Sequence, residues 1–228
     1  MTATVGVPRI VPHTHLPPGR RPDIDTSIST RETFRQVAYV TRPEAFDAAV
    51  QYWIDAMAVG PFYVGHFQLG NQTFRGVPTA GSCTVALSFH GDVQVEIIKP
   101  TNDAPSPYTD LMDRAATVPV AGLFHHYLVD TPDYDQTCDR LLGAGAREGL
   151  RATLSDGRRM TYLDATATLG CYIEVIEAGP KGVLVSNQMR EECAAWDGTD
   201  PLRSYAELVA RAMQRPRSPN RLTLSTHR

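Results

Sequence analysis

Two stretches of the chain repeat one alternation of apolar and polar positions, and the repeat appears when residues 34–99 are laid over 124–177. Phe34-Arg-Gln-Val-Ala-Tyr-Val reads as a strand with Gln36, Ala38 and Val40 on one face. Pro43 then opens a helix whose apolar face carries Phe46, Val50, Trp53 and Met57, at offsets 0, 4, 7 and 11. Strand-like runs follow at 62–69, 83–90 and 93–99. The second copy begins Phe124-His-His-Tyr-Leu-Val-Asp, again a strand. Its helix opens at Thr131-Pro, presents Tyr134, Cys138, Leu141 and Leu142 on one face, and ends at Gly143 and Gly145. Strands follow at 147–154, 159–164 and 171–177. Gly91-Asp92 and Asp156-Gly157 have the chemistry of hairpin turns.

The pattern predicts an α+β fold of two tandem βαβββ modules, 32–99 and 122–178. One such unit covers a single face of its sheet. Two can join their strands into a curved, cup-shaped mixed sheet with the helices outside. The linker, 100–121, holds a short helix around 108–116. A Pro-rich arm occupies 1–31, and its His13 and His15 lack neighbours that would complete a metal site. The C-terminal extension, 179–228, contains a helix over 201–214 with Leu202, Tyr205, Leu208, Val209 and Met213 on one face. Beyond it lies a basic tail.

Composition narrows the class. Hydrophobic residues make up 42% and charged residues 21% of 228, which is an ordinary globular balance. A formal charge of −3 gives no electrostatic reason to expect a nucleic-acid partner. No apolar run is long enough for a membrane span, and the N-terminus lacks the apolar stretch of a secretory signal. Cys83, Cys138, Cys171 and Cys193 are widely spaced, which predicts free thiols in a reducing cytoplasm.

Strand alternation sorts the polar residues. His126 stands where Gln36 stood and shares a face with Leu128, while His125 is expected to point the other way. The closing strands match as Val95-Glu-Ile-Ile and Ile173-Glu-Val-Ile. Glu96 lies with Gln94 and Ile98, and Glu174 with Tyr172 and Ile176. A carboxylate among apolar neighbours needs a partner or a proton. Gln36, Glu96, His126 and Glu174 occupy equivalent positions of the two copies, and one divalent cation would satisfy all four. Such a mixed oxygen and nitrogen set suits Zn²⁺, Ni²⁺, Co²⁺, Mn²⁺ or Fe²⁺. His66 and His90 lack repeat partners and are read as structural or pocket-lining.

The order and spacing of QVAYV, VEII, HHYLV and IEVIE resemble the vicinal oxygen chelate superfamily, which includes glyoxalase I and methylmalonyl-CoA epimerase. The resemblance covers about residues 32–178 and implies one divalent metal per chain on Gln36, Glu96, His126 and Glu174. It implies a metal-dependent isomerase, epimerase or lyase that removes a proton next to a carbonyl of a small organic substrate. Glu174 is the first choice for the base and Glu96 the second. It also implies a homodimer, since a sheet edge of the first unit needs cover. Other readings are a metal-free, drug-sequestering binding protein, an iron-dependent extradiol dioxygenase, and a hydrogen-bond cluster in a scaffold. Gln36 stands where the dioxygenase has a histidine, which argues against that enzyme.

Overall fold

The computed structural model describes residues 32–214. The Pro-rich arm with His13 and His15, and the basic tail past 214, lie outside the described residues. Along the chain run β1 (Thr33–Val40), a 3-10 turn (Pro43–Ala45), α1 (Phe46–Met57), β2 (Phe62–Gln68), β3 (Gly70–Phe74), β4 (Val77–Pro78), β5 (Ser82–His90) and β6 (Val93–Pro100). Then come α2 (Pro107–Arg114), β7 (Leu123–Thr131), α3 (Tyr134–Gly143), β8 (Arg147–Thr153), β9 (Arg159–Ala165) and β10 (Cys171–Glu177). The chain closes with α4 (Pro180–Ala194), β11 (Leu202–Ser204) and α5 (Tyr205–Gln214).

Eleven strands form one curved, unclosed sheet in the order β11-β2-β5-β6-β1-β7-β10-β9-β8-β3-β4. β1 and β7 pair antiparallel at its middle, β1 lies parallel to β6, and β7 lies parallel to β10. Outward from this seam, each copy contributes its strands in the order first, fourth, third, second. An approximate two-fold axis between β1 and β7 therefore interchanges the copies, and all four central strands belong to one chain.

The repeat helices lie on the convex face. Phe46, Ala49, Val50 and Trp53 of α1 pack on Ala86, Val95 and Ile97, while Tyr134 and Cys138 of α3 pack on Val129, Leu163, Ile173 and Val175. Met57, expected on the buried face of α1, is 47% exposed because the helix ends there.

Sequence periodicity missed four elements, α4, β11, β3 and β4. α4 buries Val185, Ser186 and Met189, so its inner face is not a hydrophobic stripe; Pro180 in its first turn is the signal that remains. The expected 201–214 helix begins only at Tyr205, because Leu202–Ser204 pairs with β2. The β3–β4 hairpin turns at Arg75 and Gly76, both at positive φ (50° and 78°), in the manner of a two-residue hairpin loop.

These additions shape the cup. The C-terminal pair α4 and α5 sits on the concave face of the first copy, where Val185, Met189, Leu208 and Ala212 pack against Ala38, Tyr63, Val85, Leu87 and Ile98. Leu208 and Met189 are essentially fully buried, and each such side chain contributes about 1.5–3 kcal/mol. Only Leu69 separates β2 from β3, yet β2 belongs to one side of the sheet and β3 pairs with β8 on the other. This run links the two sides of the cup. β11 covers the outer edge of β2, so the sheet edge that suggested a second chain is partly covered within one chain.

Candidate metal centre

Two rows of residues cross the central strands. One row reads Glu96, Ala38, His126, Tyr172, and the next reads Gln94, Gln36, Leu128, Glu174. The approximate two-fold axis exchanges the rows, so Gln36 maps onto His126 and Glu96 onto Glu174. The structure brings these four side chains together on the concave face, and all are buried. Ala38 keeps the space between Glu96 and His126 open.

Gln36 Nε2 donates to Glu96 Oε2 at 2.6 Å and lies 3.4 Å from His126 Nε2. His126 Nε2 is 2.9 Å from Glu174 Oε2 and 3.5 Å from Glu96 Oε2. One ligand atom each from Glu96, His126 and Glu174 lies within 4.8 Å of the others. Bonds of about 2.1 Å to one shared cation impose ligand separations of roughly 3–4 Å, so the set fits a divalent ion. Rotating the Gln36 amide by half a turn places its Oε1 where Nε2 now points, which supplies a fourth donor.

Charge supports the fit. Burial, and then the neighbouring Glu174, hold the Glu96 carboxyl well above its usual range, against the hydrogen bond from Gln36 that lowers it. Two buried carboxylates with one imidazole leave negative charge that either a proton or a cation must offset.

Two β-bulges flank the site, one on each copy. Along β1 the pairing steps from Phe34 to Gln36 against adjacent residues of β7, which leaves Arg35 as the extra residue. Along β7 it steps from His126 to Phe124 against adjacent residues of β1, which leaves His125 extra. A bulge breaks strict alternation, so two consecutive side chains share a face. His125 therefore does not point away, as alternation predicts. It is fully buried on the concave side and stacks on Tyr172 with centroids 5.2 Å apart. Its Nδ1 lies 2.7 Å from His126 Nδ1. Burial, then His126, hold the His125 imidazole well below its usual range, so it is neutral.

One proton serves the contact between the two rings. For His126 Nε2 to offer a lone pair, the proton sits on His126 Nδ1 and is donated to His125 Nδ1. Sequence reading missed both bulge residues. The signal was present as Phe34-Arg35-Gln36 against Phe124-His125-His126, in which each Phe faces the convex side.

Gln36, Glu96 and Glu174 line a cavity of about 520 Å³, and His126 is buried with no exposure of its own. His66 lines the same cavity and meets Thr84 Oγ1 through Nδ1 at 2.7 Å, whereas His90 is exposed. Tyr162 lines it too, joined to Tyr108 by a 3.0 Å contact between hydroxyls. Phe67 also lines this cavity, while Phe62 and Tyr39 belong to the convex core.

No known family profile and no curated protein sequence matches the chain. Similar solved structures include a hypothetical protein from Bacillus halodurans C-125, with 11% identity, 64% of this chain and 94% of that chain covered, and a TM-score of 0.43. A methylmalonyl-CoA epimerase from Mycobacterium tuberculosis gives 16%, 65%, 89% and 0.42. A methylmalonyl-CoA epimerase in complex with methylmalonyl-CoA and NH4+ gives 14%, 67%, 96% and 0.41. Identity and overlap at this level leave the chemistry to the chain's own residues.

Proposed function

We propose that the protein is a divalent-metal-dependent isomerase, epimerase or lyase that removes a proton next to a carbonyl of a small organic substrate. The observation that carries this reading is the buried convergence of Glu96, His126 and Glu174 on the cavity floor, with Gln36 beside them. Gln36, Glu96, His126 and Glu174 would hold one cation per chain. When bound, it would supply Lewis-acid stabilisation of an enolate-type oxygen.

The remaining work falls to the side chains. Glu174 is the proposed base. It lies 2.9 Å from His126 Nε2, and a carboxylate only weakly engaged by the cation would be able to take a proton. Glu96, which accepts from Gln36 Nε2 in the structure, is the second candidate. The walls of the cavity, Val85, Leu87, Leu128 and Met160 among them, exclude water around the transferred proton.

A second reading is favoured by one observation. Gln36, Glu96, His126 and Glu174 lie within contact distance of one another, as a hydrogen-bonded cluster in a metal-free binding protein would require. Metal analysis after dialysis separates the two, and carbon-bound proton exchange with D₂O over a panel of 2-hydroxycarbonyl compounds and acyl thioesters then tests the reaction. About one ion per chain, lost in Glu96→Ala and His126→Ala, together with metal-dependent exchange, is the expected result. Stoichiometric metal that survives both substitutions would place the site elsewhere. Ligand binding with neither metal nor exchange would favour the binding protein.

The homodimer is part of the same proposal, supported by the adjacent exposed rings of Phe34 and Tyr127 on the convex face. Light scattering should give the mass of two 25.0 kDa chains. A reducing, cytoplasmic setting is proposed as well, supported by four free cysteines. Among the described residues no helix is long and apolar enough to cross a membrane.

A further inference from the structure

One wall of the cavity is cationic, and the C-terminal extension builds much of it. α4 faces the cavity with Lys181, Gly182, Val185, Ser186 and Met189. Two guanidinium groups lie along this face. Arg35, turned inward by the β1 bulge, donates to Ser186 Oγ at 2.8 Å. Arg158 lies over the start of the helix, where a Cβ on Gly182 would stand 3.0 Å from its Nη1 and one on Gly179 would stand 2.5 Å from its Cδ. Gly182 and Ser186 are one turn apart, about 6 Å along the axis. The two glycines thus make room for one guanidinium, and the bulge delivers the other a turn away.

Acidic neighbours do not use up this charge. Arg35 pairs with Asp130 at 2.8 Å, yet its Nε is buried without any hydrogen-bond partner. Its side chain is 19% exposed, so most of its surface is withdrawn from water. Arg158 is steadied by Asp156 at 2.9 Å and by the Glu177 carbonyl at 3.2 Å. Gly179, the N-cap of α4, supplies no side-chain cap, so the N–H groups of Lys181 and Gly182 in the first turn keep their partial positive charge. Lys181 adds an ammonium group at the same place. A desolvated guanidinium, a second one a turn away and an uncapped helix start together match a planar or tetrahedral group of oxygens.

Resting on the metal-site reading above, we propose that the wall made by Arg35, Arg158 and the first turn of α4 seats an anionic oxygen group, a carboxylate or a phosphate, of the substrate. The compound is then an organic anion whose acidic end is held on this wall while its reacting carbon faces Glu96 and Glu174. The C-terminal extension is thereby part of the specificity machinery, and Arg35 is a specificity-determining residue.

Titration calorimetry on the full chain tests this with two matched pairs of probes, 2-oxoadipate against 2-oxohexanoate and dihydroxyacetone phosphate against dihydroxyacetone. Each is measured on Zn²⁺-loaded and on EDTA-stripped protein at about 0.15 M salt. In at least one pair the compound with the extra anionic group should bind about tenfold tighter or better, and which pair does so tells carboxylate from phosphate. The preference should fall to below about threefold in Arg35→Gln and in Arg158→Gln, with the other compound of the pair little changed. Arg158→Gln is a second, independent variant that keeps the test intact if Arg35→Gln does not fold. Equal binding within both pairs, no binding by any probe at about 5 mM, or a preference unchanged in the folded variants would overturn the proposal. A preference that persists on stripped protein with no metal uptake would sink the metal reading and leave the anion seat standing. Metal uptake with no preference would do the reverse.

Discussion

His125 Nδ1 and His126 Nδ1 face each other at 2.7 Å, so the ring whose Nε2 lies 2.9 Å from Glu174 and 3.5 Å from Glu96 is oriented from behind by its chain neighbour. The β7 bulge makes this possible, because it turns two consecutive histidines to one face. His125→Phe should weaken metal binding by about 10–100-fold, since the acceptor that fixes the His126 tautomer is lost. His125→Asn, whose Oδ1 can stand in for Nδ1, should recover most of it. Competition with a chelator measures both. Equal affinity in the parent and the Phe variant would show that His125 only fills space.

Glu174→Gln should retain the fold and the packing around Tyr162 while losing proton transfer. Removal of an aligned base costs about 10²–10⁴ in rate. Exchange of substrate protons with D₂O, compared at equal metal occupancy, reads this directly. An unchanged exchange rate would move the role of base to Glu96.

The metal-free protein should lose stability as pH rises. Glu96 binds its proton more tightly in the folded chain than in the unfolded one, so its contribution is full below the usual value of 4.5 and declines as pH climbs from there toward the raised value. Glu96→Gln stays neutral and removes that slope. Urea midpoints of the two metal-free proteins should therefore diverge progressively above about pH 5, to the advantage of the variant. Parallel curves would mean that the carboxyl titrates normally.

Leu208→Ala should destabilise the whole domain by about 2–5 kcal/mol, because this α5 residue is fully buried against the concave sheet. Chemical denaturation followed by both circular dichroism and tryptophan fluorescence should show one coincident transition. A loss below about 1 kcal/mol would mean that α5 opens independently of the sheet.

The repeat was legible in the sequence because its signals are local and occur twice. Alternating apolar positions mark β1, β6, β7 and β10, helical spacing marks α1 and α3, and Gly143 and Gly145 end a helix wherever the rest of the chain lies. Equivalence between copies was enough to nominate Gln36, Glu96, His126 and Glu174 as a set. Other features depend on pairing partners far away in sequence. The bulges that turn Arg35 and His125 inward exist only in the register between β1 and β7, so alternation along one strand places His125 on the wrong face. α4 carries Gly182 and Ser186 on its inner face because Arg158 and Arg35 lie against them, and a face matched to guanidinium groups shows no hydrophobic period. β3 and β11 become strands because sheet edges need hydrogen-bond partners, a demand that no local pattern expresses. The sequence by itself thus determined the two halves and the grouping of the four polar residues. Tertiary structure alone decided which neighbours orient those side chains and what encloses them, since both follow from contacts between residues that are distant along the chain.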